Sequence, residues 1–456
     1  MGAAVSVMGR RCRQWWTVTL LAVLLCGCAN SSLLLSYPSR YAKVAANADA
    51  DPNAALEQLS QGLNGNDKLL YAQESGRIAS LGGDVTASID FYHQAEQSYQ
   101  QYDWKAVFSL TDISSQVAGS TISDNLIPYR GQAYERVMLH QQQSLNYLWQ
   151  GKLDDALVEV RLATQAQDQA QKAYADALQS NQAFDGGYVD SDLAELDRAA
   201  GNAPDSFINP YVLYSNATLY AAAGKENDAL IDVRKALQLQ PENPLLQREF
   251  VRLSCVVRID CDQAQQRYGE LAPADNKAGQ VVVLMESGQI SARQTFWLPF
   301  SWDGNYQQIA MPYYYQAQVT APPQVSLGQQ PLALTPLVRL DQLAARSLRE
   351  QYPFILARQT LRAVTKHNSN KWAESAGGDI GSIAMQIFNA VTEQADRRSW
   401  LSLPQQGLAW QGAYAAGEHQ LNVGSQSATI KVMAGRTTVV WVANSGARTQ
   451  IHSQLI

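Results

Sequence analysis

A repeated pattern of small and aromatic residues does most to limit what this chain can fold into. The clearest copy spans residues 209–244, and a second copy spans residues 140–167. In each copy a tyrosine precedes a glycine by one helical turn, and two alanines follow that glycine at matching offsets. The matching residues are Ala217, Tyr220, Gly224, Ala229, Ala236 and Pro241 in the clearest copy, and Tyr147, Gly151, Ala156 and Ala163 in the second. Small residues let two helices approach closely and proline ends the second helix, so the pattern predicts helical hairpins.

These offsets are similar to those of the tetratricopeptide repeat, although Leu213 stands where that repeat usually has a tryptophan. A weaker copy spans residues 69–99, with its turn glycine at Gly82. The three turn glycines are separated by about two repeat lengths, which leaves room for a further hairpin in each gap. The sequence therefore predicts about five or six hairpins that stack as an α-solenoid over residues 38–270.

Solenoids of this kind bind extended peptides or other proteins on a concave face. Four tyrosines are candidates to line such a face, and their alternative role is to pack between helices. They are Tyr129, Tyr134, Tyr147 and Tyr211, of which Tyr147 and Tyr211 are the candidates for partner binding. Residues 181–209 are rich in glycine, aspartate and asparagine, and they predict an exposed insertion.

Strand patterns replace helical ones after residue 275. Residues 279–290, with the sequence GQVVVLMESGQI, predict two strands joined by a glycine turn, and residues 293–319 continue the β signal. Several short strands separated by glycine turns close the chain. Residues 276–456 therefore predict an α+β domain that ends in a small antiparallel sheet or sandwich.

Two helices are expected inside this second domain. Residues 340–367 have an apolar side, and Pro353 is expected to kink or split that helix. Residues 379–400 predict a further helix with Asp379 as its N-cap. Arg358, Arg362 and Lys366 form a basic stripe on the first helix. A solvated helix face explains the stripe most simply, and the alternative is contact with an acidic partner, a lipid headgroup or a peptidoglycan stem carboxylate.

The sequence contains no recognisable catalytic constellation. It lacks the fixed-spacing signatures of serine hydrolases, zinc proteases, P-loop proteins and dinucleotide-binding domains. The histidines are scattered without the spacing of metal ligands, at His93, His140, His367, His419 and His452. The sequence therefore predicts a protein that is not an enzyme and that binds no metal and no cofactor.

The amino terminus has the layout of a secretory signal. Residues 1–14 carry three arginines and no acid, and residues 15–25 are almost wholly apolar. The apolar run is shorter than the roughly 20 residues of a membrane-spanning helix, although a short transmembrane anchor is the alternative. Met8 is an alternative start that leaves a shorter signal.

The end of this signal, LCGC at residues 25–28, resembles the lipobox of bacterial lipoproteins. That resemblance implies cleavage of residues 1–27, a diacylglyceryl thioether on Cys28, acylation of the new amino terminus and a tether over residues 28–37. Several acyl chains together hold a protein on a bilayer. Ala29 follows the cysteine, which implies sorting to the outer membrane, facing the periplasm.

Charge and cysteines agree with an exported protein. The whole chain carries −6, and loss of the three arginines of the signal leaves −9, which argues against generic nucleic-acid binding. Cys255 and Cys261 then remain as an even pair in an oxidising space, so they predict a local disulfide. Two buried free thiols are the alternative.

Three further strings, in residues 128–161, 286–294 and 395–404, resemble a family of Gram-negative outer-membrane lipoproteins with tetratricopeptide-like repeats. Members of that family look like neighbours of lipoproteins that activate penicillin-binding proteins, and the family supplies no catalytic residues to transfer. The resemblance implies a periplasmic scaffold that binds envelope proteins through its repeats and the membrane through lipid. Peptidoglycan is a further expected partner. The alternatives are a cell-wall or glycan enzyme with its site in residues 276–456, and a spacer between outer membrane and peptidoglycan.

Overall fold

The computed structural model describes residues 35–101, 124–180, 193–272, 275–302, 305–360, 362, 394–446 and 448–456. Several sequence predictions fall outside these residues. They concern the signal over residues 1–27, the lipidation site Cys28, the first part of the insertion, Lys366, and most of the helix expected over residues 379–400.

Helices make up the first part of the described chain, as the sequence predicts. They are α1 (Tyr37–Ala48), α2 (Pro52–Ser60), α3 (Lys68–Gly82), α4 (Val85–Gln100), α5 (Ala133–Trp149), α6 (Leu153–Ser180), α7 (Ala194–Ala200), α8 (Pro210–Ala222), α9 (Glu226–Leu239), α10 (Pro244–Val257) and α11 (Cys261–Tyr268). Apart from α7, they form five successive pairs of sequence neighbours that pack on each other. Asn209 and Asn243 start two of the pairs, because each side chain accepts backbone N–H bonds from the first helical turn and a proline follows at once.

The same turn joins the two helices in three of these pairs. Lys152 donates its backbone N–H to the carbonyl of Tyr147, Lys225 donates to Tyr220, and Asp84 donates to Ala79. This bond, from the N–H of one residue to the carbonyl five residues earlier, ends each helix. The residue just before the donor has a left-handed backbone. Gly151 and Gly224 occupy that left-handed position, and nothing lies within 4 Å of the place where a Cβ would stand. In the third pair the left-handed residue is Gly83, one position after the glycine that the pattern singled out.

The second part of the chain forms two stacked sheets and a hairpin. Its strands are β1 (Ala278–Ser287), β2 (Gln294–Trp302), β3 (Asn305–Tyr313), β4 (Val325–Leu327), β5 (Gln330–Pro331), β6 (Thr335–Arg339), β7 (Gln406–Ala415), β8 (Gly417–Val423), β9 (Gln426–Val432), β10 (Thr437–Asn444) and β11 (Thr449–Leu455). The larger sheet has the order β11-β10-β1-β7-β6, the smaller one has the order β5-β4-β8-β9, and β2 pairs only with β3. The larger sheet is mixed, since β1 and β10 are parallel and its other pairs are antiparallel.

Strand β1 is buried on both faces because it lies in the middle of three layers. Val282 and Leu284 belong to the core shared with the helices, and Val281 and Val283 belong to the core shared with the smaller sheet. Side chains of a strand alternate between faces. The order of layers is therefore helices, larger sheet, smaller sheet.

A single hydrophobic core joins the helical part to the strands. It includes Tyr37 and Leu213 from the helices together with Trp400 and Trp441 from the second part, all of them buried. The change from helices to strands falls at the boundary predicted near residues 270–276, but the core continues across it.

A twelfth helix, α12, spans residues 340–360 and packs inside the same core. It runs through Pro353 without interruption, contrary to the expected split. Buried residues lie on both sides of the proline, at Leu348, Tyr352 and Ile355, so tertiary packing outweighs the hydrogen bond that proline cannot make. The described end of the other predicted helix, residues 394–400, is not helical.

Candidate functional site

The three strings that carry the family resemblance meet at the junction between helices and sheet. Glu286, on the helix-facing side of β1, lies 2.6 Å from the guanidinium of Arg77 on α3, and both side chains are buried. Gln142 on α5 donates to the same carboxylate at 2.6 Å, and the hydroxyl of Tyr211 on α8 donates at 3.4 Å. One strand residue thus bonds to side chains from three different helices.

Two further buried carboxylates hold the segment after residue 398. Glu74 accepts the backbone N–H groups of Leu401 at 2.7 Å and Ser402 at 3.0 Å. Burial raises the pKa of Glu74 to about 8, although these hydrogen bonds oppose the shift. Glu135 accepts the backbone N–H of Trp400 at 2.9 Å and the hydroxyl of Tyr129. Acids on the inner helices therefore fix an irregular segment that crosses the junction.

Arg398 is the most heavily bonded cation of this segment. Its guanidinium lies 2.7 Å from the carboxylate of Asp67 and 2.8 Å from that of Asp396. It also donates to the backbone carbonyls of Ile127 at 2.8 Å and Asp124 at 3.0 Å. Arg398 is buried, and it connects the loop before α3, the segment after residue 123 and the final part of the chain.

Two arginines of the basic stripe, Arg358 and Arg362, bond to a buried aspartate. Arg362 is 2% exposed and forms an ion pair with the buried Asp124, to which Arg358 also donates at 3.1 Å. Burial alone raises the pKa of Asp124, but the charges of Arg358 and Arg362 outweigh it and hold that pKa well below its usual range. Arg362 therefore contradicts both expectations for the stripe. It lies neither on a solvated face nor on a surface that is free for an acidic partner. Lys366 lies outside the described residues.

The structure also places the candidate tyrosines. Tyr129, Tyr134 and Tyr211 are at most 3% exposed, so they pack inside the protein and line no open face. Tyr147 is half-buried on α5, where its hydroxyl lies 2.7 Å from the ring of His93. The physical reason for the correction is that the sheet covers the inner helices α3, α5 and α8, whose side chains are almost all buried.

The opposite side of the helical part carries an acidic groove between α6 and α9. The groove has a volume of about 550 Å³, and its walls carry three aspartates, Asp168, Asp228 and Asp232, and two cations, Arg161 and Lys235. Asp232 is 4% exposed, and one of its carboxylate oxygens has no hydrogen-bond partner. Burial raises the pKa of Asp232 to about 7, with Lys235 opposing the shift and the neighbouring aspartates adding to it.

The predicted disulfide is confirmed, because Cys255 at the end of α10 is bonded to Cys261 at the start of α11. Arg258 and Asp260, between the two cysteines, both have the left-handed backbone that residues other than glycine rarely adopt. The bond and this tight turn together fix how the last helical pair folds back.

Sequence reasoning missed Glu74, Glu135, Asp232, Arg293 and Arg398. Each is a charged residue within or next to an apolar segment. That position was the only feature of the sequence that could have indicated a buried charge. Within the described parts of the chain, no three metal-ligating side chains come together in a possible metal site. Among the same residues, no helix has the length and apolar character needed to cross a bilayer.

Comparisons with known proteins add no family. The sequence matches no model of a protein family and no curated protein.

Proposed function

We propose that this protein is a lipid-anchored scaffold of the outer membrane that binds other envelope proteins in the periplasm. The lipobox at residues 25–28 supports the anchor, and the disulfide between Cys255 and Cys261 is compatible with an oxidising compartment. The proposal includes the finer assignment of the helix pairs as a tetratricopeptide-like solenoid, which the recurring left-handed turns at Gly151 and Gly224 support.

The observation that carries the scaffold role is the division of the helical part into a covered side and an open side. The sheet of the same chain covers the inner helices, so an external partner has access to the outer helices. Val158 on α6 and Ile231 on α9 are exposed apolar residues on that side. Ile231 is also part of the groove wall that contains Asp232.

The groove has the chemistry to receive a cationic side chain of the partner. Asp168, Asp228 and Asp232 outnumber the two cations of the groove, Arg161 and Lys235, so an incoming lysine or arginine would pair with an aspartate. Such a pair would be partly desolvated, and charge-assisted hydrogen bonds of this kind are stronger than neutral ones. The partner class is therefore an envelope protein that presents a basic residue flanked by apolar ones.

Photo-crosslinking in the native cell tests this function. A photoreactive residue placed at Ile231 should crosslink reproducibly to an envelope protein, and the same residue at Val319, an exposed position of the second part, should not. Asp232→Asn should weaken the crosslink, whereas Asp154→Asn at the exposed start of α6 should leave it unchanged. The proposal fails if Ile231 yields no reproducible envelope partner in correctly lipidated protein.

A further inference from the structure

A second cavity lies where three parts of the chain meet. They are residues 124–132, the segment just before β2, and the helix α12. The volume of the cavity is about 100 Å³, which is room for one small polar group but not for a sugar ring. Four arginines and two aspartates are among the residues that line it: Arg130, Arg293, Arg358, Arg398, Asp124 and Asp396.

The guanidinium of Arg293 is buried in this cavity and only partly hydrogen-bonded. Its side chain is 3% exposed, and its Nε donates to the hydroxyl of Tyr314 at 3.4 Å. One of its terminal nitrogens, Nη2, has no hydrogen-bond partner. None of the ion pairs among the described residues includes Arg293. A guanidinium keeps its charge inside proteins, and an unpaired buried charge is costly.

The other described groups of the cavity compensate this charge only in part, since Asp396 acts on Arg293 electrostatically but is bonded to Arg398. The carboxylate of Asp124 is shared between Arg358 and Arg362. Arg398 takes both Asp396 and Asp67, and Asp67 is also shared with Arg40. Arg130, at the half-buried edge, forms no ion pair within the described part of the chain. Among the described residues that line this cavity, arginines therefore outnumber aspartates, although the chain as a whole is negative.

We propose that this cavity binds a phosphate group, either as free phosphate or as a phosphate monoester at the end of a larger molecule. Arginine presents a planar set of donors that fits phosphate oxygens in pairs. A phosphate dianion neutralises more of the excess charge than a carboxylate can, and its oxygens would satisfy Nη2 of Arg293. The size of the cavity admits the phosphate group and leaves any attached molecule outside.

The test is calorimetric titration of the purified full chain in a non-ionic detergent, at pH 8 and constant ionic strength. The probes are inorganic phosphate, glycerol phosphate as a soluble monoester, and acetate as a carboxylate. We expect phosphate to bind at least ten times more tightly than acetate and to raise the melting temperature as its concentration rises. Binding of glycerol phosphate would identify an ester as the ligand source, and its failure beside phosphate binding would identify the free ion.

Two variants and a control locate the site. Arg293→Gln should weaken phosphate binding at least tenfold, because it removes the charge and the donors that would meet the phosphate oxygens. Arg130→Gln should weaken binding severalfold, and it carries the test if Arg293→Gln does not fold. Arg349→Gln, on α12 and paired with Asp197 at the surface, should change nothing.

The proposal is overturned if acetate binds as well as phosphate, or if neither probe binds the folded parent chain. It is also overturned if Arg293→Gln or Arg130→Gln folds and keeps the parent affinity. These measurements use purified protein, so their outcome does not depend on the scaffold function proposed above.

Discussion

The guanidinium of Arg77 on α3 lies 2.6 Å from the carboxylate of Glu286 on β1, and neither side chain is more than 3% exposed. The guanidinium also lies over the ring of Trp441 on β10, 5.5 Å from its centroid. The two charged residues are more than 200 positions apart in the chain, and their contact joins the inner helices to the middle sheet. A buried pair of this kind is sensitive to the loss of either partner, because the remaining charge stays buried.

Removing one charge of this pair should destabilise the whole protein. We expect Glu286→Gln to lower the free energy of unfolding by about 3–5 kcal/mol, because Arg77 is left buried without a counter-ion. Urea unfolding followed by tryptophan fluorescence measures the change. Glu195→Gln removes the partner of Arg198 in an exposed pair and should cost less than about 1 kcal/mol. Equal effects of the two substitutions would contradict the role of the buried pair.

His140 should make stability depend on pH on the alkaline side. It lies between Glu159 at 2.7 Å and Glu96 at 3.3 Å. Burial lowers the pKa of His140, but the two glutamates outweigh this effect and raise it above its usual value. Its contribution is therefore complete below the unfolded pKa of about 6.5 and is lost as pH rises through the folded pKa.

The difference in unfolding free energy between the parent chain and His140→Gln should accordingly be larger at pH 6 than at pH 9. Urea unfolding at the two pH values measures it. His452→Gln is the control, because burial lowers the pKa of His452. The difference for His452→Gln should therefore change in the opposite direction and be larger at pH 9 than at pH 6. A difference for His140→Gln that does not vary with pH would exclude the charged histidine.

The left-handed turns should distinguish alanine from asparagine. Gly151→Ala is expected to cost about 1–2 kcal/mol, since φ is positive there and no neighbouring atom explains the glycine. Gly151→Asn should cost less, because asparagine tolerates this backbone conformation better. Thermal and urea unfolding of the two variants check the order. If alanine and asparagine cost the same, the backbone conformation is not the reason for the glycine.

The lipid anchor should depend on a single sulfur atom. Cys28→Ala is expected to abolish incorporation of labelled fatty acid and to release the protein from the outer-membrane fraction, while far-UV circular dichroism of the purified chain stays unchanged. Cys26→Ala is the matched control and should keep the label, because that residue is predicted to leave with the signal. Labelling that survives Cys28→Ala would refute the predicted lipobox.

Local features of the sequence determined the helix pairs, their turns, the disulfide and the start of the strands. The reason is that a left-handed turn, a cap or a bond between neighbouring cysteines depends on a few consecutive residues, as at Gly151, Asn209 and Cys255. The split expected as one outcome at Pro353 does not occur, because packing of α12 in the core outweighs the preference of one residue.

Only the tertiary structure decided which surfaces are covered and which charges are paired. The repeat pattern leaves Tyr211 either on a concave face or packed between helices, and the sheet buries it against Glu286. Arg362 looks like part of a solvated stripe, but it is bonded to Asp124, 238 positions earlier. Helical periodicity shows that a face is apolar or charged. It does not show which distant strand or carboxylate covers that face, because the partner is brought there by the fold and not by its position in the sequence.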